Sequence, residues 1–304
     1  MRRAVPLVIG AAVSALLAVV CLRHGADLAR ALRRVPPIAF AVATLLHLVV
    51  VGIRTEAWRL TLAALGSRPP LAVAHWASAV GFLAGTVEGH AILPARMAVA
   101  RKLAPADVPG LRQMLLSDVP VFAIECCLIA ALLPLAATRI DGAPGWSVLL
   151  APVGAVGAVL GLRLLHNRLS ASPLAGGLKI LATPGLRVRL AALAAAIVVL
   201  TYVRVWILIG AVGMANGPAD AAVAYVAVTL AGQLPIGPAA GPAGMVVIAG
   251  EGALAKAAAA GLAISATSIG AVILYLVVVG TASIPRRVSA LRDRSDVSGG
   301  TRSR

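Results

Sequence analysis

Acid is what this chain has least of. Asp and Glu together number 11 in 304 residues, against 27 Lys and Arg, and all charged residues amount to 12%. A soluble domain of this length cannot cover its surface with so few charges. Aromatic residues are also scarce, at 3%. Without aromatic faces for bases to stack on, the net charge of +16 is not read as a nucleic-acid footprint. Three cysteines, Cys21, Cys126 and Cys127, each lie in an apolar run and build no disulfide framework. The five histidines (24, 47, 75, 90 and 166) are scattered, and no metal-ligand spacing is present, so neither a metal nor another cofactor is expected. Nor is there a paired acid and base or an activated nucleophile, which argues against an enzyme.

What remains is apolar: 60% of residues are hydrophobic and the mean hydropathy is +0.96. The composition points to an all-α integral membrane protein, because helices satisfy their own backbone groups in lipid and no strand-like alternation is visible. Apolar runs near the roughly 20 residues that cross a hydrocarbon core occupy 4–21, 36–53, 117–138, 146–162, 190–213 and 262–284. The first is longer than the roughly 7–15 residues of a signal-peptide core and is read as an uncleaved span. These runs predict about six spanning helices in one polytopic domain, 1–285. The polar, basic segment 286–304 is expected to be disordered or to lie on anionic lipid.

Two further apolar stretches are interrupted. Residues 72–95 carry Gly81, Gly85, Glu88, Gly89 and Pro94. Residues 221–250 carry "GQLPIGPAAGPAG" (232–244), with Pro235, Pro238 and Pro242 among Gly237, Gly241 and Gly244. Broken backbone at membrane depth is tolerated only where protein buries it or water reaches it. Each stretch suits two half-height helices meeting at a tip, with the named glycines and prolines as the hinge; a kinked ordinary span is the competing reading.

Basic residues favour the hairpins. With a cytoplasmic N-terminus and both stretches returning to the side they entered from, 20 of the 27 Lys and Arg fall on the cytoplasmic side and six outside, with Arg204 inside a span. The segment 22–35, with four arginines, is read as a short helix at the outer interface. Both termini are then cytoplasmic. One stretch dips in from the inside and the other from the outside, each between two spans. That is the pattern of an inverted repeat, in which interrupted segments at matching positions mark a transport site.

Residues 54–104, "RTEAWRLTLAALGSRPPLAVAHWASAVGFLAGTVEGHAILPARMAVARKLA", resemble the transmembrane region of lysylphosphatidylglycerol synthases and their stand-alone relatives. Arg54, Trp58 and Arg59 match the family's Arg-x-x-x-Trp-Arg stretch. Leu93, Pro94, Arg96 and Arg101 match its Leu-Pro-x-Arg-x-Gly-Glu-x-x-Arg segment, although Met97 and Ala98 replace the Gly-Glu. In the second half, Pro242, Gly244 and Gly261 fall on the family's Pro-Gly-rich motif and the glycine that follows it, while its Glu is shifted to Glu251. The resemblance covers most of residues 36–285. It implies a membrane-embedded, flippase-like domain at the plasma membrane that handles an anionic lipid or lipid-linked intermediate. The family's soluble aminoacyl-transferase domain has no counterpart in this sequence, so lipid aminoacylation is not expected. The alternative is a scaffold that does not transport and instead holds a glycosyltransferase or lipid-modifying partner.

Ionisable groups inside spans are costly and are the first functional candidates. Arg204 and Glu125 lie within spans, and the helical rise allows them to pair, either as a static staple or as a breakable pair from which Arg204 meets a lipid phosphate. Asp118 reads as a helix cap at the interface. Arg96 and Arg101 offer planar forks suited to phosphate, with a merely topological role as the competing reading. Glu88 and Gln233 lie at the two expected tips. Trp58, Trp76 and Trp146 read as interfacial belt residues.

Overall fold

The computed structural model describes residues 19, 22–23, 25–87, 91–105, 109–139, 180–232, 239–249 and 251–299. Among these it is helical throughout, with no strand. The expected spans 4–21 and 146–162 lie outside the described residues, apart from Val19.

Among the described residues, four helices are long and apolar enough to cross a membrane: α1 (Pro37–Ala64), α4 (Leu111–Ala137), α5 (Pro184–Ala211) and the first part of α8, Leu254–Thr281. Each covers most of one of the apolar runs and outruns it at one end. Between α1 and α4 stand α2 (Leu71–Val87) and α3 (Ile92–Leu103). Between α5 and α8 stand α6 (Pro218–Ala231) and α7 (Ala240–Ile248). At about 1.5 Å per residue, these four shorter helices measure roughly 13–25 Å, less than a hydrocarbon core of about 30 Å. Ahead of α1, residues 25–33 form the expected short helix, with Leu28 and Ala31 buried.

Helix ends follow local rules. Proline stands at the first position of α1, α5 and α6, where its missing N–H costs nothing. The starts of α4 and α6 each close on a side chain three residues on: Gly110 N–H donates to Gln113 at 2.9 Å and Gly217 N–H to Asp220 at 2.8 Å. α1 and α5 end alike. Gly66 (φ 86°) and Gly213 (φ 74°) take the left-handed conformation that glycine favours. The next amides reach back to Leu62 O at 2.9 Å and Ile209 O at 3.1 Å. The interval from Pro37 to Pro184 is the same as that from Ala64 to Ala211, Gly66 to Gly213 and Leu71 to Pro218. The two span–pair–span units therefore start in register.

Contacts give the directions. On α1 and α5, His47 meets Arg204, while Ala57 packs with Leu190 and Ala194, so these helices are antiparallel. On α1 and α4, Gln113 donates to Leu65 O at 3.0 Å and Arg54 meets Glu125, again antiparallel. α8 runs parallel to α1, from the approach of Gly270 to Thr44 to the bond between Tyr275 and Thr55.

Small residues let the pairs close up. A Cβ on Gly85 would lie 2.4 Å from Ile92, and one on Gly81 2.6 Å from Arg96, so α2 and α3 form a tight antiparallel pair. A Cβ on Gly244 would strike Ala227 O at 2.7 Å, and one on Gly241 would strike Gly261 O at 2.6 Å. α7 is thus pressed between α6 and α8. The core is correspondingly alanine-rich along α8, where Ala257 to Ala260 are all buried.

Three expectations change. Gly85, Pro94, Gly241, Pro242 and Gly244, expected at the hinges, all lie inside helices. Pro94 and Pro242 are each the third residue of their helix, where no backbone partner is lost. The glycines are packing contacts. Pro235, Gly237 and Pro238 lie outside the described residues. Residues 286–299, expected to be disordered or to lie on anionic lipid, continue α8 as helix to Gly299; their Arg, Ala and Leu are good helix formers. Trp58 is no belt residue: it is 2% exposed in the core.

Candidate functional site

α1 organises the buried charge. Its positions 47, 54 and 58 are seven and four residues apart and therefore share a face. Each meets an ionisable side chain from a different helix.

At His47 stands Arg204 of α5, itself only 2% exposed. Its Nη1 donates to His47 Nδ1 at 2.8 Å. Its Nη2 donates to Thr267 Oγ1 at 2.8 Å, to Ser268 Oγ at 2.7 Å and to Ile264 O, and its Nε donates to Thr267 Oγ1 at 3.2 Å. Arginine only donates, so His47 Nδ1 is unprotonated. Thr267 can accept from arginine because its own proton goes to Ala263 O at 2.8 Å. Every partner is neutral. Among the described residues, Arg204 forms no ion pair.

One heptad on, Arg54 pairs with Glu125 of α4 at 3.0 Å. Glu125 Oε1 is buried and has no hydrogen-bond partner among the described residues. Tyr225 of α6, also buried, lies beside this pair. At Trp58 stands Arg96 of α3, 3% exposed. Its guanidinium carbon lies 4.9 Å from the ring centroids of both Trp58 and Phe82, a cation–π sandwich. Its Nη1 reaches both oxygens of Asp118, at 3.1 and 3.2 Å. A second hydroxyl cluster lies on the neighbouring face: His75 Nδ1 meets the Tyr275 hydroxyl, and Tyr275 donates to Thr55 Oγ1 at 3.1 Å.

The expected residues are therefore distributed. Arg204 and Glu125 do not pair with each other; each is held by a different residue facing it. Asp118 is not a cap but the partner of Arg96. Arg101 is exposed at the end of α3. Glu88 and Gln233 lie outside the described residues. Sequence reasoning missed His47, Arg54, Thr267 and Ser268 as members of the site. The signal for Arg54 was present: between Gly52 and Gly66 no glycine or proline interrupts the chain, so the helix can run on through Arg54 rather than end in a loop before it.

A cavity of about 1270 Å³ opens between α4, α6 and α7, lined by apolar residues such as Leu133, Val223 and Val247. Arg139, Asp220 and Lys256 also line it, and Arg139 and Asp220 pair at 2.8 Å. Comparison with protein-family models and with curated protein sequences finds no match.

Proposed function

We propose that this is a multi-pass plasma-membrane protein that carries an anionic lipid headgroup between leaflets. Both termini are cytoplasmic in this reading, and the pairs α2–α3 and α6–α7 are re-entrant hairpins entering from opposite faces. The observation that carries it is the Arg204 guanidinium, buried mid-helix among neutral partners. A cation without an acid is expensive inside a membrane and marks a place where an anion belongs. Equivalent helices, matched in register and antiparallel, support the inverted repeat, and such repeats alternate the exposure of a central site. The likeness to the transmembrane region of lysylphosphatidylglycerol synthases belongs to this reading, as does the absence of an enzymatic role.

The test is headgroup exchange in vesicles holding the purified protein and labelled anionic phospholipid. The expected result is faster exchange than in protein-free vesicles, lost in Arg204→Ala. No acceleration with any anionic lipid would end this reading.

One observation favours a second reading. Each nitrogen of Arg204 already has a partner and the side chain is closed off, as befits a static staple in a scaffold for a glycosyltransferase or lipid-modifying enzyme. In that case a partner co-purifies, and Arg96→Ala and Arg204→Ala leave its recruitment intact.

A further inference from the structure

Acids match arginines one to one along α1, with a single exception. Arg54 has Glu125 at 3.0 Å, Arg59 has Glu56 at 2.6 Å and Arg96 has Asp118 at 3.1 Å. Arg204 has none among the described residues. His47, which accepts from Arg204, also lies in the field of Arg54 and adds no charge of its own. Tyr225 from α6 is neutral, as are Thr267 and Ser268 from α8. The group around Arg54, Glu125 and Arg204 thus holds two cations and one acid.

Its accessible member is Arg54, whose side chain is 37% exposed against 11% for Glu125. Arg54 is thus the open side of the pair and Glu125 the enclosed one. Among the described residues, Glu125 Oε1 has no donor. A guest with one negative charge brings the group to neutrality. A guest with two meets the Glu125 carboxylate as a like charge in a medium of low dielectric, where such repulsion is strong.

We propose that the Arg54–Glu125 pair is a charge filter that admits singly charged phosphodiesters and rejects doubly charged phosphomonoesters. Arg54 binds the phosphate and Glu125 sets the charge limit. The inference rests on the anion-handling reading above and adds to it the class of headgroup and the residue that selects it.

The experiment measures lipid retention by native mass spectrometry of the full chain in detergent. Phosphatidylglycerol is the diester probe and phosphatidic acid the monoester probe. The wild type is expected to retain phosphatidylglycerol preferentially. Glu125→Gln, close in shape and one charge more positive, is expected to shift the ratio toward phosphatidic acid by about tenfold or more. Arg54→Gln is expected to lose both. Competition by water-soluble glycerophosphoglycerol supports the filter with a free diester as its source; no competition supports it with the membrane lipid as source. Equal retention by the wild type, or an unchanged ratio in Glu125→Gln, overturns the proposal. So does a shift produced by Glu88→Gln in its place. Headgroup exchange measured on the same preparations separates the two failures. Exchange without discrimination sinks only the filter, whereas discrimination without exchange sinks only the transport reading.

Discussion

Single residues in this fold are most exposed to test where charge is buried. Arg96 combines a sandwich between Trp58 and Phe82 with an ion pair to Asp118. The Asp118 side chain is half exposed, so removing the arginine strands no buried acid, and the loss is mainly packing and cation–π attraction. Arg96→Ala is expected to destabilise the protein by about 2–3 kcal/mol. Arg96→Lys is expected to recover only part of this, since an ammonium cannot stack between two rings. Thermal unfolding in detergent reads both, and an Arg96→Ala variant as stable as the wild type would contradict the assignment. That Arg204 and Glu125, both buried, lie within spans was legible from the sequence, because ionisable residues in apolar runs stand out. Their partners were not. Pairing depends on which helices touch, and a single sequence carries the rise along each helix but not the neighbour across it. Glu125 reaches Arg54 because α1 and α4 lie side by side.

At the scale of elements, glycine positions divide sharply by what surrounds them. Gly241 and Gly261 face one another across α7 and α8, and a Cβ on Gly261 would lie 2.4 Å from Pro242. Backbone cannot swing aside as a side chain can, so Gly261→Ala is expected to force the helices apart and to destabilise by about 1–3 kcal/mol. Gly52, within α1, has nothing within 4 Å of its would-be Cβ. Gly52→Ala is expected to be neutral or to stabilise by up to about 1 kcal/mol, as alanine does in a helix. Matching melting shifts for the two variants would show that α7 does not press on α8. The two interrupted stretches were visible in the sequence as glycine and proline where lipid-facing helix should continue. What a single sequence did not reveal is that Gly85 and Gly244 also serve close packing inside helices. A glycine demanded by a turn and a glycine demanded by a neighbour look the same in one dimension.

For the whole molecule, the decisive quantity is which face each loop occupies. Hydropathy predicted the four long helices because apolar length is a local property. α1 and α5 run antiparallel by contacts such as His47–Arg204 that span most of the chain, and the proposed inversion of the two units builds on that relation and on their equal helix intervals. Arg68 and Ala215 occupy equivalent places, two residues beyond Gly66 and Gly213, and both are exposed. In an inverted arrangement these loops lie on opposite faces. In the proposed topology Arg68 faces the cytoplasm, among the cation-rich connections, and Ala215 the outside. Single-cysteine variants Arg68→Cys and Ala215→Cys, in a chain whose Cys21, Cys126 and Cys127 are replaced by Ser, make this measurable in sealed cells. A membrane-impermeant maleimide is expected to label the Ala215→Cys variant directly and the Arg68→Cys variant only after permeabilisation. Labelling of both from the same face would make the two units parallel in the membrane. The helix pairs α2–α3 and α6–α7 would then enter from one side, and a site alternately open to both leaflets could not form between them.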